Sequence, residues 1–333
     1  MVMNEDTALL KIENLSKQKN GNIAVDDISI ILYKKLRTSI IGETGSGKST
    51  FLKLLAGLEQ PDNGNIHFND VRVLGANEKL IAGHSEIAYL SQHFELRNNY
   101  KVSEVLSYVN KLNEQDSNKI YQLCRIDHLF KRWTDELSGG EKQRIALASL
   151  LTTSPSLLLL DEPYSNLDQI HKNEIRSLIQ EISKLINITC ILVSHDVQDV
   201  LSWSDYLIIF KDGKIIQQGS PESIYHQPVN EYCAALLGDY QLIEASSTFL
   251  KNIFPNSPNS KKKLFIRPGY FEINDTQNNT GTGIVTEISF FGNYTLATIQ
   301  TGDVYLKMTV IRNEVKLGEQ VEFSFNRDEY WFI

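Results

Sequence analysis

One short segment limits what this chain can fold into more than any other, the glycine-rich loop Gly42-Glu43-Thr44-Gly45-Ser46-Gly47-Lys48-Ser49-Thr50. Residues 39–41 before it are β-rich, and residues 51–56 after it have helical composition. Glycines tolerate positive φ and let the backbone close around an anion, and N–H groups at a helix N-terminus favour negative charge. The segment therefore predicts a phosphate-binding loop between a strand and a helix, rather than a Gly/Ser-rich turn that matches by chance.

Two side chains of this loop carry the expected chemistry. In a G-x-x-x-x-G-K-S loop the lysine, here Lys48, reaches the β- and γ-phosphates, and the hydroxyl of the next residue, Ser49, ligates Mg²⁺. We therefore expect residues 42–50 to bind ATP, and Mg²⁺ to bind with it.

Composition narrows the class of protein. The 333 residues suffice for one large and one small domain, and 33 Lys and Arg against 41 Asp and Glu give a net charge of −8, which argues against a general nucleic-acid binder. Cys124, Cys190 and Cys233 are far apart and odd in number, as expected for reduced thiols in the cytosol. Apolar runs fall far short of the ~20 residues of a membrane span, and the acidic N-terminus does not resemble a signal peptide. Any membrane part is expected to come from another chain.

The order of strand-like and helix-like runs predicts the first domain. Strands are predicted at residues 9–15, 24–32, 39–41, 65–68, 86–90, 157–160, 189–194, 206–211 and 214–219, and helices at residues 51–56, 102–109, 145–151, 172–185 and 221–237. With an early phosphate loop, this alternation predicts a doubly wound α/β P-loop NTPase domain at residues 1–240. A mostly helical subdomain is expected at about residues 93–150.

The C-terminal part has a different character. Residues 252–263 contain two prolines, several asparagines and three consecutive lysines, and indicate a linker. Strand-like runs follow at residues 263–266, 283–290, 294–300, 304–308, 320–325 and 330–333. These runs predict a small all-β barrel or sandwich domain at residues 241–333.

Two acidic residues follow the predicted buried strand at residues 157–160. Asp161 stands directly after four leucines, and Glu162 comes next. From these positions we expect Asp161 to hold Mg²⁺ through water and Glu162 to accept a proton from the attacking water. The alternative is a strand that ends in two solvated acids.

Further motifs, in their order along the chain, reveal a family resemblance. Leu137-Ser138-Gly139-Gly140-Glu141-Lys142-Gln143-Arg144 resembles the signature motif of ATP-binding-cassette (ABC) ATPases. Gln92 is similar to their glutamine loop, residues 165–168 to their D-loop, and His195 to their switch histidine. The resemblance covers residues 9–237 and implies an ATPase.

The resemblance also implies how the sites are assembled. Two ABC cassettes pair head to tail, so Ser138, Gly139 and Gly140 of one chain are expected at the ATP on the phosphate loop of the other. His195 would hold the γ-phosphate in its own chain, and Gln92 would sense Mg²⁺ and the water. In one departure, Lys19 occupies the position where the family stacks an aromatic residue on adenine.

The C-terminal segment resembles the transport-associated (TOBE) domain of importer ATPases, an accessory domain with an oligonucleotide/oligosaccharide-binding-like (OB-like) fold. The resemblance is carried by residues 219–228, 266–269, 292–294 and 317–321. It implies an importer subunit on the cytoplasmic face of the inner membrane, with a separate permease and, indirectly, an extracytoplasmic solute-binding protein. The short tail favours iron(III) or polyamine over the longer sugar types, and sulfate, molybdate or sugar are the alternatives. The permease is expected near residues 93–105.

Two other classes stay open. A soluble ABC ATPase of DNA repair would have long coiled coils between Lys48 and Ser138, but these two residues are too close in sequence for such an insertion. ABC ATPases of translation usually carry two cassettes in one chain, and this chain has one. OB-like domains also bind nucleic acids, but the basic run at residues 261–263 is more typical of a solvated linker, so no nucleic-acid partner is expected.

Overall fold

A parallel sheet, with the phosphate loop at the carboxyl ends of its strands, organises the N-terminal part of the molecule. The computed structural model describes residues 8–92, 96–165, 167–186, 188–253, 262–273, 281–311, 315–325 and 331–333. The chain divides into two units, Met1–Pro221 and Glu222–Ile333.

The first unit alternates strands and helices. Its strands are β1 (Ala8–Lys19), β2 (Asn22–Tyr33), β3 (Arg37–Ile41), β4 (Asn63–Phe68), β5 (Val71–Arg72), β6 (Ile87–Leu90), β7 (Leu157–Asp161), β8 (Thr189–Val193), β9 (Tyr206–Lys211) and β10 (Lys214–Gly219). Its helices are α1 (Lys48–Leu55), α2 (Val102–Val109), α3 (Glu114–Leu123), α4 (Gly139–Leu151), α5 (Gln169–Leu185) and α6 (Val197–Leu201).

The central sheet has the order β10-β9-β3-β8-β7-β6, and its neighbours are parallel except for the β9–β10 hairpin. Every residue of β7 and β8 is buried, as expected for strands covered on both faces. Because parallel strands end at the same edge of a sheet, the residues that follow β3, β6, β7 and β8 share one edge. That edge carries the candidate site.

Two further layers complete this unit. An antiparallel sheet of order β2-β1-β4-β5 packs through residues such as Leu10 and Phe68 into a core shared with α1. Helices α2, α3 and α4 form a second core with α5 around residues such as Leu106 and Ile145. Among the described residues no helix is long and apolar enough to cross a bilayer.

The predicted doubly wound α/β fold is confirmed, with shifts at element ends, and β5, α3 and α6 were not predicted individually. The hairpin strands β9 and β10 have the predicted bounds. Helix α4 contains the predicted apolar segment 145–151 and starts at Gly139, because Ser138 caps it. Helix α5 likewise starts at Gln169 rather than Lys172, because Asp168 accepts hydrogen bonds from its first turn.

The second unit is mainly antiparallel β-structure. Its strands are β11 (Gln241–Ile243), β12 (Leu264–Ile266), β13 (Phe271–Ile273), β14 (Gly281–Phe290), β15 (Thr295–Thr301), β16 (Val304–Val310), β17 (Gln320–Phe325) and β18 (Trp331–Phe332). They form sheets of order β11-β12-β18 and β13-β17-β14-β15-β16 around one apolar core. The predicted all-β unit, consistent with an OB-like fold, is confirmed. Most of the predicted linker lies outside the described residues.

The start of this unit differs from the sequence prediction. The single helix predicted at residues 221–237 is wrong, because the segment forms α7 (Pro221–His226) and α8 (Glu231–Leu236) with Pro228 between them. Helix α9 (Thr248–Ile253) was not predicted. The buried Arg267 donates to the carbonyl oxygens of Ala234 and Gly238 at 3.1 and 2.8 Å, so residues 222–240 pack with the C-terminal strands. The domain boundary at residue 240 stays a prediction.

Candidate nucleotide-binding site

The glycine-rich loop connects β3 to α1, as its sequence predicts. Gly45 and Gly47 have φ values of +85° and +103°, a region that favours glycine. A Cβ on Gly47 would lie 1.9 Å from the carbonyl oxygen of Ala24, and one on Gly42 would lie 2.2 Å from that of Phe210. The backbone of neighbouring strands therefore requires glycine at both positions.

A turn from elsewhere in the chain supports this loop. Gly213, in the turn between β9 and β10, donates its N–H to the carbonyl oxygen of Ser46 at 2.9 Å, and its own carbonyl accepts from the N–H of Asp26 at 2.9 Å. The sequence predicted the turn from the Asp212–Gly213 pair but not this contact, because nothing in the pair itself points to a distant loop.

The lysine of the loop points into the loop itself. Lys48 is buried, and its Nζ donates to the carbonyl oxygens of Gly42 and Glu43 at 2.8 and 2.7 Å and to Oγ of Ser46 at 3.2 Å. Burial lowers the pKa of Lys48, while the carboxylates of Glu162, Asp161 and Glu43 oppose that shift. A cation thus lies at the centre of the loop that is predicted to surround phosphate.

Hydroxyl and carboxylate oxygens meet beside the lysine. Oγ of Ser49 donates to Oδ1 of the buried Asp161 at 2.9 Å, and the hydroxyl of Tyr89 donates to Oδ2 at 2.8 Å. Burial and the neighbouring Asp161 carboxylate raise the pKa of Tyr89, so its phenol stays a donor. Ser49 and Asp161 supply the oxygen ligands that Mg²⁺ prefers and fit that ion. Tyr89, on β6, was missed by the sequence analysis.

The second acidic residue faces the predicted histidine. Oε2 of Glu162 lies 2.7 Å from Nδ1 of His195, and the N–H of Glu162 donates to the carbonyl oxygen of Val193 at 3.0 Å. Burial raises the pKa of the Glu162 carboxyl, and His195 and Lys48 only partly oppose that shift. Such a carboxylate is a better proton acceptor than a solvated one.

An ion-pair cluster around the buried Asp199, also missed from sequence, holds the segment that carries His195. Lys172 of α5 pairs with Asp196 and, at 3.0 Å, with the buried Asp199, and Arg176 also pairs with Asp199. These contacts tie α5 to the first turn of α6, directly after the histidine. The cluster brings together two elements that are remote in sequence, so no local motif points to it.

The predicted signature segment forms the N-terminus of α4. Oγ of Ser138 accepts from the N–H of Glu141 at 3.3 Å, and the Glu141 carboxylate accepts from the N–H of Ser138 at 2.8 Å, which is a capping box. Ser138 and Gly139 are exposed, and a Cβ on Gly139 would meet no atom within 4 Å. Gly140 is buried, and its Cβ would lie 3.1 Å from Cδ2 of His171.

The structure thus joins one group of predicted site residues directly: Lys48, Ser49, Asp161, Glu162 and His195. Thr44 and Gly45 lie in the same loop, and Thr50 is buried in the first turn of α1. Gln92 is exposed two residues beyond β6, at the same sheet edge. Residue 166 of the predicted D-loop lies outside the described residues.

Comparison with known proteins identifies the family. The sequence matches the ABC transporter family over residues 25–165 and the TOBE domain over residues 264–333. The Fe(3+) ions import ATP-binding protein FbpC 2 of Pectobacterium atrosepticum is 30% identical over 338 residues, which cover 96% of this chain and 98% of that protein. The chain belongs to the ABC importer ATPases. The predicted family, ATPase class and TOBE domain are confirmed.

Other relatives of this ABC ATPase agree with that family. The glucose import ATP-binding protein GlcV of Saccharolobus solfataricus is 31% identical over 342 residues, which cover 96% of this chain and 97% of GlcV. Among solved structures, this chain is similar to cbiO1 from Clostridium perfringens, which is part of the ABC transporter complex cbiONQ. The TM-score is 0.58 at 29% identity, and the match covers 66% of this chain and 91% of the cbiO1 chain. Membership of the family implies that the chain binds and hydrolyses ATP.

Proposed function

We propose that this ABC ATPase forms a head-to-tail homodimer on binding ATP and drives solute import through separate permease subunits at the cytoplasmic face of the membrane. An extracytoplasmic solute-binding protein would deliver the solute. Near full-length similarity to import ATP-binding proteins supports this proposal.

The observation that carries the ATPase mechanism is the Glu162–His195 pair beside the phosphate loop. Glu162, with its raised pKa, accepts the proton of the attacking water. His195 orients that carboxylate and binds the γ-phosphate. Lys48 neutralises charge on the β- and γ-phosphates.

Ser49 and Asp161 hold Mg²⁺ in this proposal, with Gln92 as the residue that senses it. The bound ion would neutralise phosphate charge. Tyr89 keeps the Asp161 carboxylate oriented through its hydrogen bond, in the way that outer-shell donors orient metal ligands.

The second half of each ATP site comes from the partner chain. Ser138 and Gly139 are exposed at a helix N-terminus, which suits contact with a phosphate outside their own chain. Ser138, Gly139 and Gly140 would therefore close over the ATP of the other subunit and exclude water from it. A single chain is then expected to bind ATP more readily than it hydrolyses it.

A groove on the helical part suits the permease contact predicted near residues 93–105. It has a volume of about 640 Å³ and is lined by side chains that include Leu96, Tyr100, Val105, Tyr108 and Trp133. Tyr108 is 75% exposed and Trp133 is 44% exposed. Residues 93–95 themselves lie outside the described residues. Exposed aromatic side chains are typical of protein-binding surfaces.

The solute class is the finer part of the proposal. We place iron(III) or polyamine first, and the match to FbpC 2 supports iron. Sugar is the second candidate because GlcV matches this chain over a similar length. Sulfate and molybdate remain alternatives from the family resemblance.

One set of experiments tests the dimer, the permease partner and the solute class. ATPase activity measured against protein concentration is expected to rise faster than linearly at low concentration, because only dimers hydrolyse ATP. Purification of the tagged chain from membranes is expected to recover a permease. Uptake of labelled iron(III), putrescine and glucose is then compared between cells with the chain and cells lacking it. Activity that stays proportional to concentration where size-exclusion chromatography shows a monomer would contradict the dimer, and unchanged uptake would exclude that solute.

A further inference from the structure

Helix α4, which begins with the signature segment, contacts the chain just beyond Glu162. The buried Gln143 of α4 donates its Nε2 amide hydrogen to the carbonyl oxygen of Pro163. Arg144 pairs with Glu174 of α5 at 3.2 Å. These two interactions link the first turns of α4 to residues 163–174.

Gln143 is the unusual member of this set. Its side chain is fully buried, and its Oε1 has no hydrogen-bond partner among the described residues. A buried polar group with one unsatisfied atom lowers stability relative to an apolar side chain of the same shape. Packing alone would therefore not select glutamine here, and the bond to Pro163 is what the amide provides.

The segment that Gln143 contacts is a tight turn that holds Glu162. The carbonyl oxygen of Glu162 accepts from both the N–H and Oγ of Ser165, at 3.1 and 2.8 Å. Glu162 itself has a φ of +51°, an uncommon conformation for a residue with a side chain. Because the turn is this tightly bonded, a shift of the Pro163 carbonyl also shifts the Glu162 carboxylate.

We propose that Gln143 is a positioning residue that transmits contact at the signature segment to Glu162 of the same chain. The inference rests on the proposed head-to-tail dimer, in which Ser138 touches the ATP held by the partner. Engagement of one ATP would move the start of α4, and Gln143 would then align the base for the other ATP. Gln143 thereby couples the two sites of the dimer.

The first test replaces the amide without changing its volume much. Gln143→Leu removes the donor to Pro163, and we expect kcat to fall about tenfold while KM for ATP stays within about twofold. Thr134→Val is the matched control. The buried Thr134 hydroxyl donates to the carbonyl oxygen of Arg97 at 2.8 Å, so this variant also removes a side-chain hydrogen bond to a carbonyl, but away from the Glu162 turn. An unchanged kcat in Gln143→Leu, or an equal loss in Thr134→Val, would overturn the inference.

A second variant restores the donor conditionally. In Gln143→Glu, a protonated carboxyl group can donate to the Pro163 carbonyl, whereas the ionised group repels it. Activity relative to wild type is therefore expected to recover as the pH falls. A ratio that does not change with pH would contradict a role for the donated hydrogen bond.

Mixed dimers separate transmission from damage to the signature segment. Two affinity tags isolate dimers in which one subunit carries Glu162→Gln, so that hydrolysis uses Glu162 of the other. Gln143→Leu should reduce this activity when placed on the subunit with intact Glu162, and have little effect on the Glu162→Gln subunit. The reverse pattern would mean that Gln143 only shapes the signature contact, and it would overturn the inference.

The same experiment distinguishes failure of the inference from failure of the proposed dimer. If wild-type activity does not depend on dimer formation, the proposed function fails and the inference with it. If dimer-dependent activity is present and Gln143→Leu leaves it intact in both placements, only the inference fails.

Discussion

Nδ1 of His195 lies 2.7 Å from Oε2 of Glu162, and the two side chains differ in exposure, at 66% and 14%. The largely buried carboxyl has a raised pKa, and the imidazole is exposed. The pair therefore links the proposed proton acceptor beside the phosphate loop to a side chain that is open to solvent.

Removal of the proposed proton acceptor gives the first prediction. Glu162→Gln keeps the shape and the contact with His195 but cannot take a proton, so kcat should fall by at least about 10²-fold. ATP binding should persist, and an ATP-bound dimer should accumulate on size-exclusion chromatography. Glu181→Gln, on the exposed face of α5, is the control. Near wild-type hydrolysis by Glu162→Gln would show that another group acts as the base.

The same substitution predicts a pH-dependent change in stability. The pKa of Glu162 is raised in the folded state above its ordinary value of 4.5. The neutral carboxyl group therefore contributes to stability below pH 4.5, and this contribution is lost as the pH rises through the folded-state pKa. Gln stays neutral, so Glu162→Gln should gain stability over wild type as the pH rises from 4 to 7. Urea unfolding at several pH values measures this. A difference that is constant with pH would contradict the raised pKa.

The ion-pair cluster behind His195 gives the third prediction. Lys172→Met leaves Asp196 and the buried Asp199 with fewer partners, and should lower the free energy of unfolding by about 1–3 kcal/mol. The looser His195 segment should also lower kcat more than it changes ATP affinity. Both are measured on the purified chain, with the exposed Lys184→Met on the same helix as the control. Unchanged kcat together with lower stability would restrict the cluster to folding.

Sequence alone points to the candidate site where neighbouring residues form a motif. Lys48 and Ser49 are identified by their loop, and Asp161 by its place after four buried leucines. Tyr89 was missed because it reaches Asp161 only through the pairing of β6 with β7, where it lies opposite Leu159. A local sequence pattern does not show which strands pair with each other.

The same limit applies to the fold. The alternation of strands and helices predicted the doubly wound sheet, because each buried strand has its own apolar run. The break between α7 and α8 was missed because apolar residues such as Ile224 and Leu237 continue on both sides of Pro228. Gln143, inside a recognised motif, has a contact with Pro163 that depends on tertiary packing alone.

The glycines of the phosphate loop give the fourth prediction. Gly45→Ala adds a Cβ that meets no atom within 4 Å, so only its positive φ is strained, at a cost of about 1–2 kcal/mol. Gly47 also has a positive φ, and a Cβ there would collide with the Ala24 carbonyl, so Gly47→Ala should lower stability by clearly more. Urea unfolding without nucleotide compares the two. Equal losses would mean that the loop can move away from Ala24.

The last prediction concerns the nucleotide base. Lys19 occupies the position where the family stacks an aromatic ring, and its Nζ is held by Oε1 of Glu59 at 2.7 Å. The lysine stem can cover a base, but it lacks the ring-on-ring contact that favours a stacked purine. Lys19→Tyr should therefore lower KM for ATP by about threefold to tenfold and leave kcat nearly unchanged.

Comparison of ATP with GTP completes that test. Wild type should hydrolyse both nucleotides with similar kcat/KM, because a lysine stem distinguishes poorly between purines. Lys11→Tyr is the control for the loss of a surface ion pair. Lys11 lies on the same strand and pairs with the carboxylate of Asp70 at 2.6 Å, and its replacement should not change the KM for ATP or for GTP. If Lys19→Tyr weakens ATP binding instead, the base lies away from Lys19, and another part of the chain must hold it.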